Sequence, residues 1–217
     1  MNVVCIVAAG PIELIPSLDD FSELNPFWIG VDKGLNVLKQ KGIHANAAFG
    51  DFDSITEAER KEIDEDQPNI TLYPSEKDET DLQLALEWAI NQKPNKIYIL
   101  GATGGRLDHF MGAVQLLIRD DVLSITDTEI FLVDKNNHIT AKLAGQYTLS
   151  EDSTLRYISF FPITDEVQGL TLKGFKYPLL DMHISRGSTL CISNELISSH
   201  GHFSFESGIL LVVRSRD

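Results

Sequence analysis

Acidic side chains at three places in the sequence could hold a hard cation and, through it, a phosphate. In Gly50-Asp51-Phe52-Asp53-Ser54 two carboxylates stand two residues apart, just after the apolar run Ala45 to Phe49. Residues i and i+2 of an extended segment face the same way, so Asp51 and Asp53 make one acidic pair at a strand end. Crowded carboxylates repel unless a proton or a cation lies between them, and Mg2+ is the ordinary hard cation for oxygen ligands and phosphates. Asp78 and Asp81 precede Leu82 to Ile90, whose apolar residues at 82, 85, 86, 89 and 90 form a helical stripe. The third place is Gly101-Ala102-Thr103-Gly104-Gly105-Arg106-Leu107-Asp108-His109. Its glycines let N–H groups approach a phosphate, and Arg106 adds a forked donor. Each place has a plainer reading when taken alone. Asp51 and Asp53 could close a turn and cap a helix, and Asp78 and Asp81 could serve the helix dipole. The glycine loop lacks both the G-K-[ST] ending of a P-loop and G-x-G-x-x-G spacing.

The elements that must position these residues alternate between strand and helix. Val3 to Ala9, Phe27 to Val31, Ala45 to Phe49, Asn69 to Tyr73, Lys96 to Leu100 and Glu129 to Val133 are apolar runs with the look of buried parallel strands. Between them lie helical stretches near Leu35 to Lys41, after a Thr56–Glu59 capping box, from Leu82, and from Phe110 to about Arg119. This predicts an α/β domain over 1–135 with a mostly parallel, doubly wound, Rossmann-like sheet. The acids then fall along the carboxyl ends of the strands, where such sheets bind ligands. Asp32, just past the second strand, is either a ligand group there or a helix cap. From about residue 136 the helical period stops. Gly145 to Leu149, Leu155 to Phe161, Val167 to Leu172, Thr189 to Ser193, His202 to Glu206 and Gly208 to Val213 read as short strands of an all-β antiparallel domain over 136–217.

Composition narrows the function further. With 43% hydrophobic and 23% charged residues the chain can bury a core, and its formal net charge of −14 argues against a general nucleic-acid binder. Cys5 and Cys191 sit in apolar runs and read as buried thiols rather than a secreted disulfide framework. No apolar run approaches membrane-spanning length, and Met1-Asn2 leads straight into the first strand without a basic leader, so the expectation is a cytoplasmic protein with no membrane partner. His200 and His202 could face one side of a strand as metal ligands, but surface turn histidines are the better reading.

Taken together, Gly50-Asp51-Phe52-Asp53-Ser54, Asp78-Glu79-Thr80-Asp81 and Gly104-Gly105-Arg106-Leu107-Asp108-His109 resemble the three motifs of the thiamine pyrophosphokinase family. Leu172 to Leu179 is similar to that family's G-[LF]-K-[WY]-x-L segment, and Ile192-Ser193-Asn194-Glu195 to its Ser-Asn segment. The resemblance runs through essentially the whole chain. It implies transfer of the pyrophosphoryl group of ATP to the hydroxyl of thiamine, giving thiamine diphosphate and AMP. It also implies an α/β domain that binds Mg-ATP, a β-sandwich domain that contributes to the thiamine site, and a homodimer with active sites between subunits. By motif, Asp51, Asp53 and Asp81 surround Mg2+, and Asp108 joins them. Arg106, Gly104 and Gly105 hold phosphates, with Asp32, Ser54, Lys77, Asp78, Thr80 and His109 around the nucleotide. Ser193 and Asn194 contact thiamine, with Tyr177 near its rings, although some members carry Trp where this chain has Tyr177. Two other readings stay open: a Mg2+-dependent pyrophosphokinase for another alcohol, such as a pterin, or a nucleotide hydrolase, and a nucleotide-binding sensor without chemistry.

Overall fold

The computed structural model describes residues 1–51, 70–74 and 78–217. Asp53, Ser54, the Thr56–Glu59 capping box with its helix, and Lys77 lie outside the described residues. The chain forms two compact units, one of Met1–Leu116 with Ile125–Lys135 and one of Leu117–Ser124 with Asn136–Asp217.

The first unit is built on a parallel sheet. Its strands are β1 (Val3–Val7), β2 (Phe27–Val31), β3 (Ala47–Gly50), β4 (Thr71–Pro74), β5 (Lys96–Leu100) and β6 (Glu129–Val133). They lie in the order β4-β3-β2-β1-β5-β6, and every pairing is parallel. The chain steps outward from β1 to β4, then returns to the other side of β1 with β5. Progress reverses between β1 and β5, which makes that point of the carboxyl edge a crevice. All five residues of β1 are buried, as a strand covered on both faces must be. Val3, Cys5 and Val7 pack with Ile15, Leu18 and Phe21 and with Leu35 and Leu38 of α2 (Gly34–Gln40).

Helix α3 (Asp81–Asn91) docks on the sheet through its buried Ala85, Leu86 and Ala89. Trp88 adds an aromatic anchor, stacked on Phe27 with centroids 5.1 Å apart and next to the stacked Phe49–Tyr73 pair. These contacts carry the first turn of α3 to the sheet edge. The cap of α3 is Thr80, whose Oγ1 accepts from the Gln83 N–H at 3.3 Å. Asp81 is therefore the first helical residue rather than the cap. After β5, the chain enters α4 (Leu107–Leu117) and a short α5 (Asp120–Leu123).

The second unit is β-rich. Its strands are β7 (Asn137–Ser150), β8 (Tyr157–Pro162), β9 (Glu166–Lys173), β10 (Leu179–Ser185), β11 (Asn194–Glu195) and β12 (His200–Ser215). All pairings are antiparallel. β12 runs along β7 on one side; on the other it pairs first with β9 and then with β8. The expected strands His202 to Glu206 and Gly208 to Val213 are thus one strand, interrupted by a register shift between Phe205 and Ile209. Gly208, at φ 98, makes that shift possible. Its core gathers Phe160, Phe175 and Phe203 with Val167, Leu170, Leu172 and Cys191.

Two further expectations change here. Thr189 to Ser193 is turn rather than strand, because Ser193 sits at φ 57 and Cys191 packs into the core. β10 was not anticipated, since two register shifts and the left-handed Asp181 (φ 52) break its alternation. Both cysteines are free and buried, and burial pushes the Cys5 thiol up to about 12 and raises that of Cys191.

One close approach ties α2 to the sheet. A Cβ on Gly34 would lie 1.8 Å from the Val7 carbonyl oxygen, so no side chain fits there without moving backbone. Gly34→Ala is expected to destabilise the protein by about 2–3 kcal/mol, the range for overpacking. Urea unfolding checks it, and a change below about 0.5 kcal/mol would show that α2 can shift freely.

Candidate active site

The expected acids come from separate strand ends of the first unit. Asp32 follows β2, Asp51 follows β3, and Asp81 opens α3. Asp32 takes a left-handed backbone at φ 51, which Asp tolerates better than most residues. The turn is fixed from both sides: its N–H donates to Phe49 O at 2.9 Å, and its carbonyl accepts from the Leu35 N–H at 3.2 Å.

The outcome brings the Asp81 carboxyl beside that of Asp32. Burial raises the Asp32 carboxyl above its ordinary value, the neighbouring Asp81 raises it further by charge and by a side-chain hydrogen bond, and Asp51 adds to the same effect. His109, from the far side of the edge, opposes it. Like charges this close disfavour ionising both groups, which is the physical reason the Asp32 carboxyl is raised beyond the effect of burial. Asp32 thus lies beside Asp81 and feels the Asp51 charge; the sequence reading left it as a ligand group at the strand end or a helix cap. Among the described residues no group of three His, Cys, Asp or Glu side chains is set to hold a metal ion.

The glycine loop closes the edge at β5. Gly10 N–H donates to Gly101 O at 2.7 Å, which joins the loops after β1 and β5 at the crevice. Gly101, Gly104 and Gly105 all have positive φ, and a Cβ on Gly104 would come within 2.3 Å of Leu14 Cδ1. Thr103 is only 5% exposed, yet its Oγ1 has no hydrogen-bond partner. A buried unpaired hydroxyl costs about 1–3 kcal/mol and invites a ligand or water. Arg106 Nε donates to Asp108 Oδ1 at 3.1 Å, and the His109 N–H donates to the same oxygen at 2.9 Å. Arg106 holds the Asp108 carboxyl below its usual range. Asp108, expected beside the metal acids, is bonded here to Arg106, whose fork reaches it two residues along the chain. Asp78 is exposed and Thr80 is occupied as the cap of α3.

In the second unit the expected residues behave differently from one another. Tyr177 is 58% exposed, with Lys176 Nζ 5.6 Å from its ring centroid. Ser193 is exposed, and its N–H donates to the buried Ser159 Oγ at 2.9 Å. Asn194 is 2% exposed, and its amide is bonded to backbone. Glu195 bridges Arg156 and Lys176 at 2.6 and 2.8 Å. The sequence reading missed that bridge; the charge of Lys176 beside Tyr177 was its one visible signal. His202 and His200 pair through Nδ1 with the hydroxyls of Thr148 and Ser199, each at 3.0 Å.

A parallel sheet with acids and a glycine loop along one edge is the build of a phosphate-handling α/β protein. Known proteins narrow this. Residues 18–132 match the family model described as thiamin pyrophosphokinase, catalytic domain, and residues 146–210 match the one described as thiamin pyrophosphokinase, vitamin B1 binding domain. The chain belongs to the thiamine pyrophosphokinase family. It is 51% identical over 217 residues to the thiamine pyrophosphokinase of Bacillus subtilis (strain 168), covering 100% of both chains. The crystal structure of thiamine pyrophosphokinase from Bacillus subtilis superposes with a TM-score of 0.92 over 100% of both chains. That of thiamin pyrophosphokinase from Geobacillus thermodenitrificans, 45% identical, superposes at 0.90 over 99% of this chain and 98% of its own.

The raised Asp32 carboxyl has a consequence for stability. Its contribution is fully present below the ordinary carboxylate range and is lost as pH rises through the raised value, leaving repulsion at neutral pH. Asp32→Asn removes that repulsion and keeps a residue that accepts φ 51. Without added cations it is expected to stabilise the protein at pH 7 by about 0.5 kcal/mol, the scale of partly solvated charge interactions, and to give no gain below about pH 4. Thermal melts across pH check this; a gain that is the same at every pH would rule out the charge explanation.

Proposed function

We propose that the protein transfers the pyrophosphoryl group of ATP to the hydroxyl of thiamine, releasing AMP. The observation that carries this reading is the gathering of Asp32, Asp51 and Asp81 at one sheet edge, an oxygen-rich place, in a chain of this family. The donor set fits Mg2+, which prefers carboxylate and phosphate oxygens. Asp51 and Asp81, with Asp53 from outside the described residues, would hold it, and Asp32 adds negative charge beside them. When bound, Mg2+ neutralises phosphate oxygens and supports their in-line displacement.

The chain's own groups do the rest. N–H groups of Gly104 and Gly105 and the Thr103 hydroxyl offer donors to phosphate oxygens. Arg106 leaves its exposed pair with Asp108 to take charge that develops on the transferred group. Asp108, freed in that exchange, or Asp32 can accept the alcohol proton. Asp78, His109, Ser54 and Lys77 complete the nucleotide side. Tyr177 offers a ring face to the thiazolium cation, worth about 0.5–2 kcal/mol depending on desolvation, and Ser193 offers a free-facing hydroxyl. We read the first unit as a Rossmann-like nucleotide fold and the second as a sandwich. The working form in this reading is a cytoplasmic homodimer with active sites between subunits. Leu180 at 77% and Ile197 at 69% exposure support it, as apolar surface a partner would cover.

The test is ATP, Mg2+ and thiamine with the nucleotide product identified. AMP formed only in the presence of thiamine supports the proposal; ADP, or hydrolysis without thiamine, overturns it. Asp51→Asn and Asp81→Asn are each expected to lower turnover by at least about 100-fold while leaving the fold intact. Mg2+ with nucleotide should raise the melting temperature of the native chain and do so much less in Asp51→Asn.

A further inference from the structure

We infer that Asn194 is a positioning residue for Tyr177, and that its influence on thiamine passes through that ring rather than through direct contact. Asn194 follows the left-handed Ser193, whose turn sends the Ser193 side chain outward and the Asn194 side chain in. Once inside, the amide closes a loop with the backbone of Tyr177. Its Nδ2–H donates to Tyr177 O at 2.8 Å, and its Oδ1 accepts from the Tyr177 N–H at 3.0 Å and the Glu195 N–H at 2.9 Å. That satisfies both acceptor sites of the oxygen and uses one of two donors on the nitrogen. With 2% exposure, the amide has little surface left for a substrate.

The neighbouring residues extend the same clamp. Lys176 N–H donates to Glu195 O at 2.8 Å, Ile197 N–H donates to Gly174 O at 3.0 Å, and Phe175 bridges Leu196. Residues 174–177 and 194–197 therefore run antiparallel, with the Asn194 amide standing in for the next ladder step. The Tyr177 ring has no such support and stands in solvent at the end of this clamp. Glu195 also holds Lys176 Nζ at 2.8 Å, which keeps that ammonium near the ring. An exposed aromatic side chain is useful for binding only if its backbone is fixed. Asn194 supplies that fixation.

This inference rests on the thiamine pyrophosphokinase reading for its ligand, but its structural half stands without it. The experiment joins two readouts on the full-length protein: hydrogen exchange of the Tyr177 amide, and KM and kcat for thiamine. In Asn194→Ala the Tyr177 amide should lose protection and KM for thiamine should rise about tenfold with kcat within about twofold, the pattern of lost uniform binding. Tyr177→Ala should raise KM likewise, and the double variant should be no worse than Tyr177→Ala alone. Additive losses, or a KM increase with Tyr177 still protected, would overturn the inference. If Asn194→Ala does not fold, Asn194→Asp keeps both acceptor bonds. There KM must follow protection: both retained or both lost supports the inference, and either alone overturns it. If wild-type protein makes no AMP from thiamine, the function proposal fails separately. Exchange then decides alone, with lost protection in the variant supporting positioning and retained protection refuting it.

Discussion

A parallel strand buried on both faces has only its neighbours to satisfy its backbone N–H and C=O groups. β1 is in that position, with β2 on one side and β5 on the other. Its pairing leaves no freedom in where the strand ends lie, so the loops after β1, β2, β3 and β5 must emerge along one edge. Among the described residues, the groups that could handle phosphate in the first unit sit on those loops, on the helix turns that follow them, or at the helix start after β4. Gly34 against the Val7 carbonyl and Gly10 against Gly101 show how tightly the backbone closes there. The side chains at this edge inherit their positions from the strands and the core beneath them.

The same edge collects like charges that the core would rather keep apart. Asp32 and Asp81 meet through a left-handed turn and a helix start. A protein assembled only for stability would place one acid there and cap α3 with it. Here Thr80 takes the cap and Asp81 is released toward Asp32. The second unit shows the opposite economy. Asn194 is buried and bonded to backbone, and the residue it holds, Tyr177, is the one left exposed.

Much of this was legible in the residues. The apolar runs of β1, β2, β5 and β6 are buried strands because Val, Ile, Leu and Phe follow one another with no polar alternation, and only a two-sided burial explains that pattern. The acids and the glycine loop were visible as types and spacings. What the chain could not reveal were the pairings made across distance. That Asp32 meets Asp81, and that Asp108 turns to Arg106, depends on strand order and rotamer. β10 and the single long β12 were hidden by bulges, where a left-handed Asp181 or Gly208 breaks the alternation that marks a strand. The inward turn of Asn194 depends on the φ of Ser193, which no composition rule for Ser predicts.

The two cysteines give each unit a private chemical clock. Cys5 lies at the centre of the parallel sheet and Cys191 in the aromatic core of the second unit, and burial disfavours the thiolate of both. A thiol reagent reacts with the thiolate, so neither cysteine is open to attack while its unit stays closed. Modification of Cys5 therefore records opening of the first unit, and modification of Cys191 that of the second. Without any engineered probe, the rates at the two sulfurs report whether the halves of this protein breathe together or apart.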